Sequence, residues 1–190
     1  MNMKIIVFLL LFFANIHNFL TAEELVYNKD ISFVREIFNF HIVAPGLMRG
    51  SQPSQDSFRL LKDYCGVKTI LNLRSDNENV EWERQLVEKL GMDYINIPMN
   101  ASQKQPAEKI EQCINIMHDA LRQPVFVHCQ ARKDRTGMVC AAYKIKYDNW
   151  SLENALFEML AYGYSRNCCL ALEESLFEWN SKRKEKLLTR

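Results

Sequence analysis

Residues 125–137 read Val125-Phe126-Val127-His128-Cys129-Gln130-Ala131-Arg132-Lys133-Asp134-Arg135-Thr136-Gly137, and their order governs how the rest of the chain is read. The short apolar run 125–127, restarted by Pro124, suits a strand buried on both faces, and helical spacing resumes over 136–147. The intervening loop therefore leaves the carboxyl end of a strand and feeds a helix N-terminus. Such a loop collects unpaired backbone N–H groups and the positive end of the helix dipole, which together hold a tetrahedral oxyanion.

Cys129 opens this loop. The amides that hold an oxyanion also stabilise a thiolate, so the thiol is expected to ionise well below the ~8.5 of free cysteine and to act as a nucleophile near neutral pH. Gln130, Ala131, Arg132, Lys133, Asp134 and Arg135 form the phosphate-binding stretch. Arg135 adds a planar guanidinium that binds two equatorial phosphoryl oxygens at once, a fork lysine lacks. Thr136 is placed to donate its hydroxyl to the Cys129 sulfur as it is expelled, and His128, behind the loop, to order backbone groups rather than act as a base. A cysteine and an arginine at this spacing arise often by chance. Their coincidence with a strand, His-Cys, a five-residue loop, Arg-Thr-Gly and a helix does not.

Working outward, residues 38–43 alternate apolar and polar side chains before Pro45-Gly46 turns the chain, as in a hairpin. Ser51-Gln52-Pro53-Ser54 supplies helix-start chemistry ahead of Phe58, Leu61 and Tyr64, and Gly66 supplies the stop. Strand-like 67–73, helical 80–90, strand-like 92–97 and helical 106–121 follow in turn. After the phosphate loop come helical stretches at 136–147 and 151–162, then a charged helix towards Lys186. This order predicts an α/β fold: a parallel-rich central sheet flanked by helices, with a mostly helical C-terminal third.

The 190 residues are 48% hydrophobic and 25% charged with a net charge of +1, an ordinary globular composition. No basic excess points to nucleic acid. Lys4 followed by the apolar run 5–14 is shorter than the ~20 residues that span a bilayer and reads as a secretory signal peptide, residues 1–22. A polar connector, 23–37, precedes the domain at 38–190. Export to a periplasmic or extracellular space is expected, with membrane contact only through an uncleaved signal segment. The six cysteines would then meet an oxidising environment. Their spacing fits no metal site, and adjacent Cys168 and Cys169 are poorly placed to bridge to each other.

The loop resembles the signature of cysteine-dependent protein tyrosine and dual-specificity phosphatases: His-Cys, five residues, Arg, then Ser or Thr. Asn39-Phe40-His41, Pro45-Gly46-Leu47-Met48-Arg49-Gly50-Ser51-Gln52-Pro53-Ser54, Leu71-Asn72-Leu73-Arg74, Ile97-Pro98-Met99, Asn149-Trp150-Ser151, Glu158-Met159 and Gly163-Tyr164 are similar to pieces of small atypical bacterial members, exported ones included, in the family's order. The resemblance covers roughly residues 38–165. It implies a dual-specificity phosphatase-like fold, no metal or cofactor, and phosphate-monoester hydrolysis through a phosphocysteine on Cys129.

Two departures stand out. The family carries Gly where this chain has Arg132, and a backbone at φ > 0 costs a bulky residue about 1 kcal/mol; the side chain either extends a cationic rim or spoils the cradle. The segment 99–105, where the family often places an acidic proton donor, holds no carboxylate. Asp134 is the candidate substitute, since myotubularin-like lipid phosphatases also carry an aspartate immediately before the loop arginine. A capping or ion-pairing role for Asp134 competes, and Asp76 is the alternative acid. The leading function is a protein tyrosine or dual-specificity phosphatase acting on a phosphorylated protein, with inositol phosphates open because of Arg132 and Lys133. Its alternative is a weak or inactive phosphate-binding module. A rhodanese-like sulfurtransferase fits the Arg-Thr-Gly spacing less well.

Overall fold

The computed structural model describes residues 37, 39–75, 80–131 and 133–189. The expected signal peptide, almost all of the connector, Asp76 and Arg132 lie outside them. Pro45-Gly46, with Gly46 at φ 73°, joins β1 (His41–Ala44) to β2 (Leu47–Gly50) in an antiparallel pair. β1 begins later than the alternation at 38–43 predicts. Asn39 stands in the left-handed region at φ 60° and turns its side chain to the carbonyl of Ala131, which ends extended backbone ahead of His41.

Local signals set the following elements. Helix α1 (Gln55–Cys65) is capped by Ser54, whose hydroxyl accepts the Ser57 N–H at 3.1 Å, and is closed by Gly66 in the left-handed conformation. Then come β3 (Thr69–Asn72), α2 (Glu81–Lys89), β4 (Asp93–Asn96), α3 (Ala107–His118) and β5 (Val125–His128). Helices α4 (Asp134–Tyr147), α5 (Leu152–Ala161, capped by Ser151) and α6 (Arg166–Leu188) complete the chain.

The sheet order is β1-β2-β5-β3-β4, and β2, β5, β3 and β4 run parallel. This is the parallel-rich α/β arrangement expected, with an antiparallel edge. The last strand in sequence lies at the centre, and the register pairs Gly50, His128, Asn72 and Asn96 across one end of the sheet. The loops after all four strands therefore open on one side, where α/β sheets gather their sites.

Strand alternation divides the core. Leu47, Leu71, Val125 and Val127 pack with α3, α4, α5 and α6, whereas Met48, Ile70 and Phe126 pack with α1 and α2. Gly50 is required where it stands: a Cβ there would lie 2.6 Å from Phe126 Cζ and 2.7 Å from Ile37 Cγ2. α4 is covered along most of its length, and Gly137, Ala141 and Ala142 keep it thin enough to sit beneath α5 and α6.

One expectation is overturned. Cys168 and Cys169 form a disulfide with each other. Their Cα atoms are 3.8 Å apart, below the usual range for bridged cysteines. The chain accommodates the link by leaving helical geometry at Cys169 (φ −139°, ψ 28°), which breaks α6 near its start. Buried Cys113, by contrast, carries no disulfide, and burial pushes its thiol up to about 12.

Candidate active site

Period-two alternation sends His128 towards α1 and α2, and the next residue, Cys129, into the opposite core beneath α4. Cys129 is 2% exposed. Beyond it, three successive loop carbonyls are held by donors from outside the loop. The Cys129 carbonyl faces His128 Nδ1 at 3.3 Å, the Gln130 carbonyl accepts the Gln52 N–H at 3.2 Å, and the Ala131 carbonyl accepts from Asn39 Nδ2 at 3.3 Å. A peptide plane whose C=O is fixed on one side directs its N–H to the other. Drawing these oxygens onto the scaffold frees the amides to face a common anion.

The loop ends in α4. Arg135 is 8% exposed and its Nη1 donates to the Met99 carbonyl at 3.3 Å, which ties the guanidinium to the loop after β4. That loop borders a recess of about 460 Å³ lined by Ser75, Met99, Asn100, Gln105, Lys104 and Lys109. Thr136 is fully buried and its hydroxyl has no hydrogen-bond partner among the described residues, so the expected bond to the Cys129 sulfur is not formed in this state. A buried unsatisfied hydroxyl costs about 1–3 kcal/mol, which marks Thr136 as a donor in reserve.

Asp134 is half-buried at the first position of α4, and its Oδ1 accepts the backbone N–H of Ser165 at 3.2 Å. The capping of α4 weighed against proton donation is not formed, since α4 starts without a side-chain cap; the carboxylate instead holds the backbone ahead of α6 through one of its oxygens. The ligand atoms of Asp134, Cys168 and Cys169 lie within 4.8 Å of one another, but the disulfide occupies both sulfurs, so the trio is no ready metal donor set. Lys133 is partly exposed and Gln130 exposed at the loop surface.

A buried polar network behind the loop was missed by sequence reasoning. Glu83, on α2, is 0% exposed; its Oε1 lies 2.8 Å from His128 Nε2, and its Oε2 accepts from Gln52 Nε2 at 2.8 Å and Asn72 Nδ2 at 3.1 Å. Arg74 Nη1 in turn donates to Gln52 Oε1 at 2.7 Å. A signal was available: positions 80, 83, 87 and 90 form one stripe of an amphipathic helix, and only 83 carries a charge. A carboxylate on an inward face needs buried donors.

A parallel sheet whose central strand delivers a buried cysteine into a loop of outward-held carbonyls, ahead of a buried arginine, defines the cysteine-dependent phosphatase class. Residues 40–169 match the family described as DSP-PTPase phosphatase fused to NAD+ kinase, and the chain belongs to that family within the dual-specificity phosphatase superfamily. It is 27% identical over 126 residues to the dual specificity protein phosphatase TpbA of Pseudomonas aeruginosa, covering 66% of this chain and 55% of TpbA. It is 24% identical over 144 residues to the inositol diphosphatase SIW14 of Saccharomyces cerevisiae, covering 74% of this chain and 50% of SIW14. The chain thus spans about half the length of these curated relatives. The crystal structure of the SIW14 core catalytic domain superposes with a TM-score of 0.68 at 21% identity, over 80% of this chain and 92% of that one, which shows the shared fold.

Proposed function

We propose that the chain hydrolyses phosphate monoesters through a phosphocysteine on Cys129. The observation that carries this reading is the row of carbonyls 129–131 held outward at the start of α4, with Cys129 at one end of the loop and the Arg135 guanidinium at the other. Bound phosphate is gripped by loop amides between Cys129 and Arg135 and by the Arg135 guanidinium, groups that meet charge spreading over the equatorial oxygens in the transition state. The Cys129 thiolate attacks phosphorus, the P–O bond to the leaving group breaks, and Asp134 protonates the departing oxygen. Water then attacks the thiophosphate while giving a proton back to the Asp134 carboxylate, the P–S bond breaks, and Thr136 steadies the returning thiolate.

A phosphorylated protein is the substrate class we favour, because the relatives include a dual specificity protein phosphatase. An inositol phosphate is the second reading, supported by the cationic Lys133 at the loop and by the relative named as an inositol diphosphatase. The charged-then-apolar start of the chain, followed by a polar stretch, supports export.

Release of phosphate from an aryl phosphate, with vanadate inhibition and a Cys129→Ser control, tests the activity. Turnover abolished in Cys129→Ser is the expected result. Measurable phosphotyrosine binding without turnover would instead make the cradle a binding module, and persulfide formation from thiosulfate would make it a sulfurtransferase.

A further inference from the structure

On the reading of Cys129 as the nucleophile, we propose that Glu83 is a positioning residue of the phosphate loop, which through Gln52 and His128 sets two loop carbonyls. The wiring is direct. Gln52 is held by Glu83 through its side chain and holds Gln130 through its backbone N–H. His128 is held by Glu83 through Nε2 and faces the Cys129 carbonyl through Nδ1. One carboxylate on α2 thus anchors two neighbouring peptide planes of the cradle.

The anchor is buried and fully engaged: Glu83 Oε2 accepts from Gln52 and Asn72, its Oε1 lies 2.8 Å from His128 Nε2, and both the Glu83 and His128 side chains are 0% exposed, one residue from the nucleophile.

The surroundings offer no competing partner for the ring among the described residues. From α1 the Phe58 ring meets His128 edge-on at 6.3 Å, and from β5 the Phe126 ring stacks on it at 5.9 Å. From β4 comes the Tyr94 hydroxyl, which accepts from Asn72 at 2.8 Å and is kept neutral because burial and then the Glu83 charge push its ionisation up. The neighbouring cations are engaged elsewhere: Arg84 lies over the Tyr94 ring at 4.8 Å, and Arg74 bonds Gln52.

Glu83→Gln replaces one acceptor oxygen with a donor that must face Gln52, Asn72 or His128. It should lower kcat/KM for an aryl phosphate by about 100-fold, the scale of an ångström-level misplacement of catalytic groups, and move the pH midpoint of Cys129 alkylation by iodoacetate upward. Gln52→Ala, which keeps the backbone donor, should give a smaller loss in kcat/KM and leave the alkylation midpoint near wild type. Wild-type kinetics and alkylation in folded Glu83→Gln would overturn the positioning role while Cys129→Ser stays inactive. Activity surviving in Cys129→Ser would instead remove the nucleophile reading on which the role rests.

Discussion

The carboxylate of Asp134 accepts the backbone N–H of Ser165 at 3.2 Å, joining the first residue of α4 to the residue that precedes α6 at the edge of the phosphate loop. Because Asn presents the same carbonyl oxygen to Ser165, Asp134→Asn removes the acid and keeps this bond. A general acid matters for a poor leaving group and little for a good one. Asp134→Asn is therefore expected to slow phenyl phosphate or phosphotyrosine much more than a nitrophenyl ester. Equal slowing of both would make Asp134 structural, and selective loss in Asp76→Asn instead would move the acid to the loop after β3.

Arg135→Lys should cost more than its retained charge suggests. The guanidinium is buried and bonded to the Met99 carbonyl, which fixes the plane in which it would meet phosphate. A lysine ammonium cannot span two phosphoryl oxygens in that plane. Loss of a transition-state donor of this kind lowers kcat by about 100-fold or more. Phosphate release and a thermal melt, measured together, separate the catalytic loss from any loss of fold, and equal rates for the two proteins would exclude the two-oxygen grip.

The sheet, and the placement of Cys129 after a buried strand and Arg135 in a helix start, were legible because each rests on a local pattern: an apolar run, a helix start, a fixed spacing between Cys129 and Arg135. Helix limits were legible where capping chemistry was strong, as at Ser54, Gly66 and Ser151. What joins the loop to the scaffold was not. Asn39 and Ala131 are 92 residues apart in sequence, and Glu83 and His128 are 45 apart; only the strand order brings them together. The Cys168–Cys169 link was misjudged for another reason: an unbroken helix cannot form it, and the break at Cys169 has no signature in the sequence.

Asn39 offers a way to weaken the cradle alone. Its left-handed φ of 60° suits Gly, whereas Ala would add backbone strain. Asn39→Gly therefore removes the bond to the Ala131 carbonyl with little other change. A single hydrogen bond of about 0.5–1.5 kcal/mol corresponds to roughly 2- to 12-fold, so vanadate should bind Asn39→Gly more weakly within that range. Asn39→Ala should combine the same affinity loss with a lower melting temperature. Unchanged vanadate affinity in Asn39→Gly would mean that the Ala131 peptide is held without this contact.

Gly50 tests the packing beneath the loop. The Cβ of an alanine there would collide with Phe126 and Ile37, and Phe126 stacks in turn on His128. Overpacking of this kind costs about 1–3 kcal/mol, so Gly50→Ala should melt several degrees lower. Combining it with Phe126→Leu should recover part of the loss by removing the ring that blocks the new methyl group. No recovery in the double variant would place the strain against Ile37 rather than against Phe126.

The cysteines should differ sharply in chemistry. Cys129 is the nucleophile of the proposed reaction at the mouth of the loop, whereas Cys113 is fully buried with its thiol pushed up to about 12. Cys168 and Cys169 are already joined. Iodoacetate added to the folded protein at neutral pH without reductant is therefore expected to label Cys129 and to spare Cys113, Cys168 and Cys169. Vanadate should protect Cys129, because the amides and Arg135 that hold the oxyanion close over the sulfur. After thiol reductant opens the Cys168–Cys169 link, the exposed Cys168 should become reactive while phosphate release continues, since nothing in the proposed reaction draws on that disulfide. Activity that falls on reduction, in step with Cys168 labelling, would instead show that the link holds Ser165, and through it Asp134, in place. Peptide mapping that finds Cys129 bridged to another cysteine would exclude a reduced nucleophile in the protein as prepared.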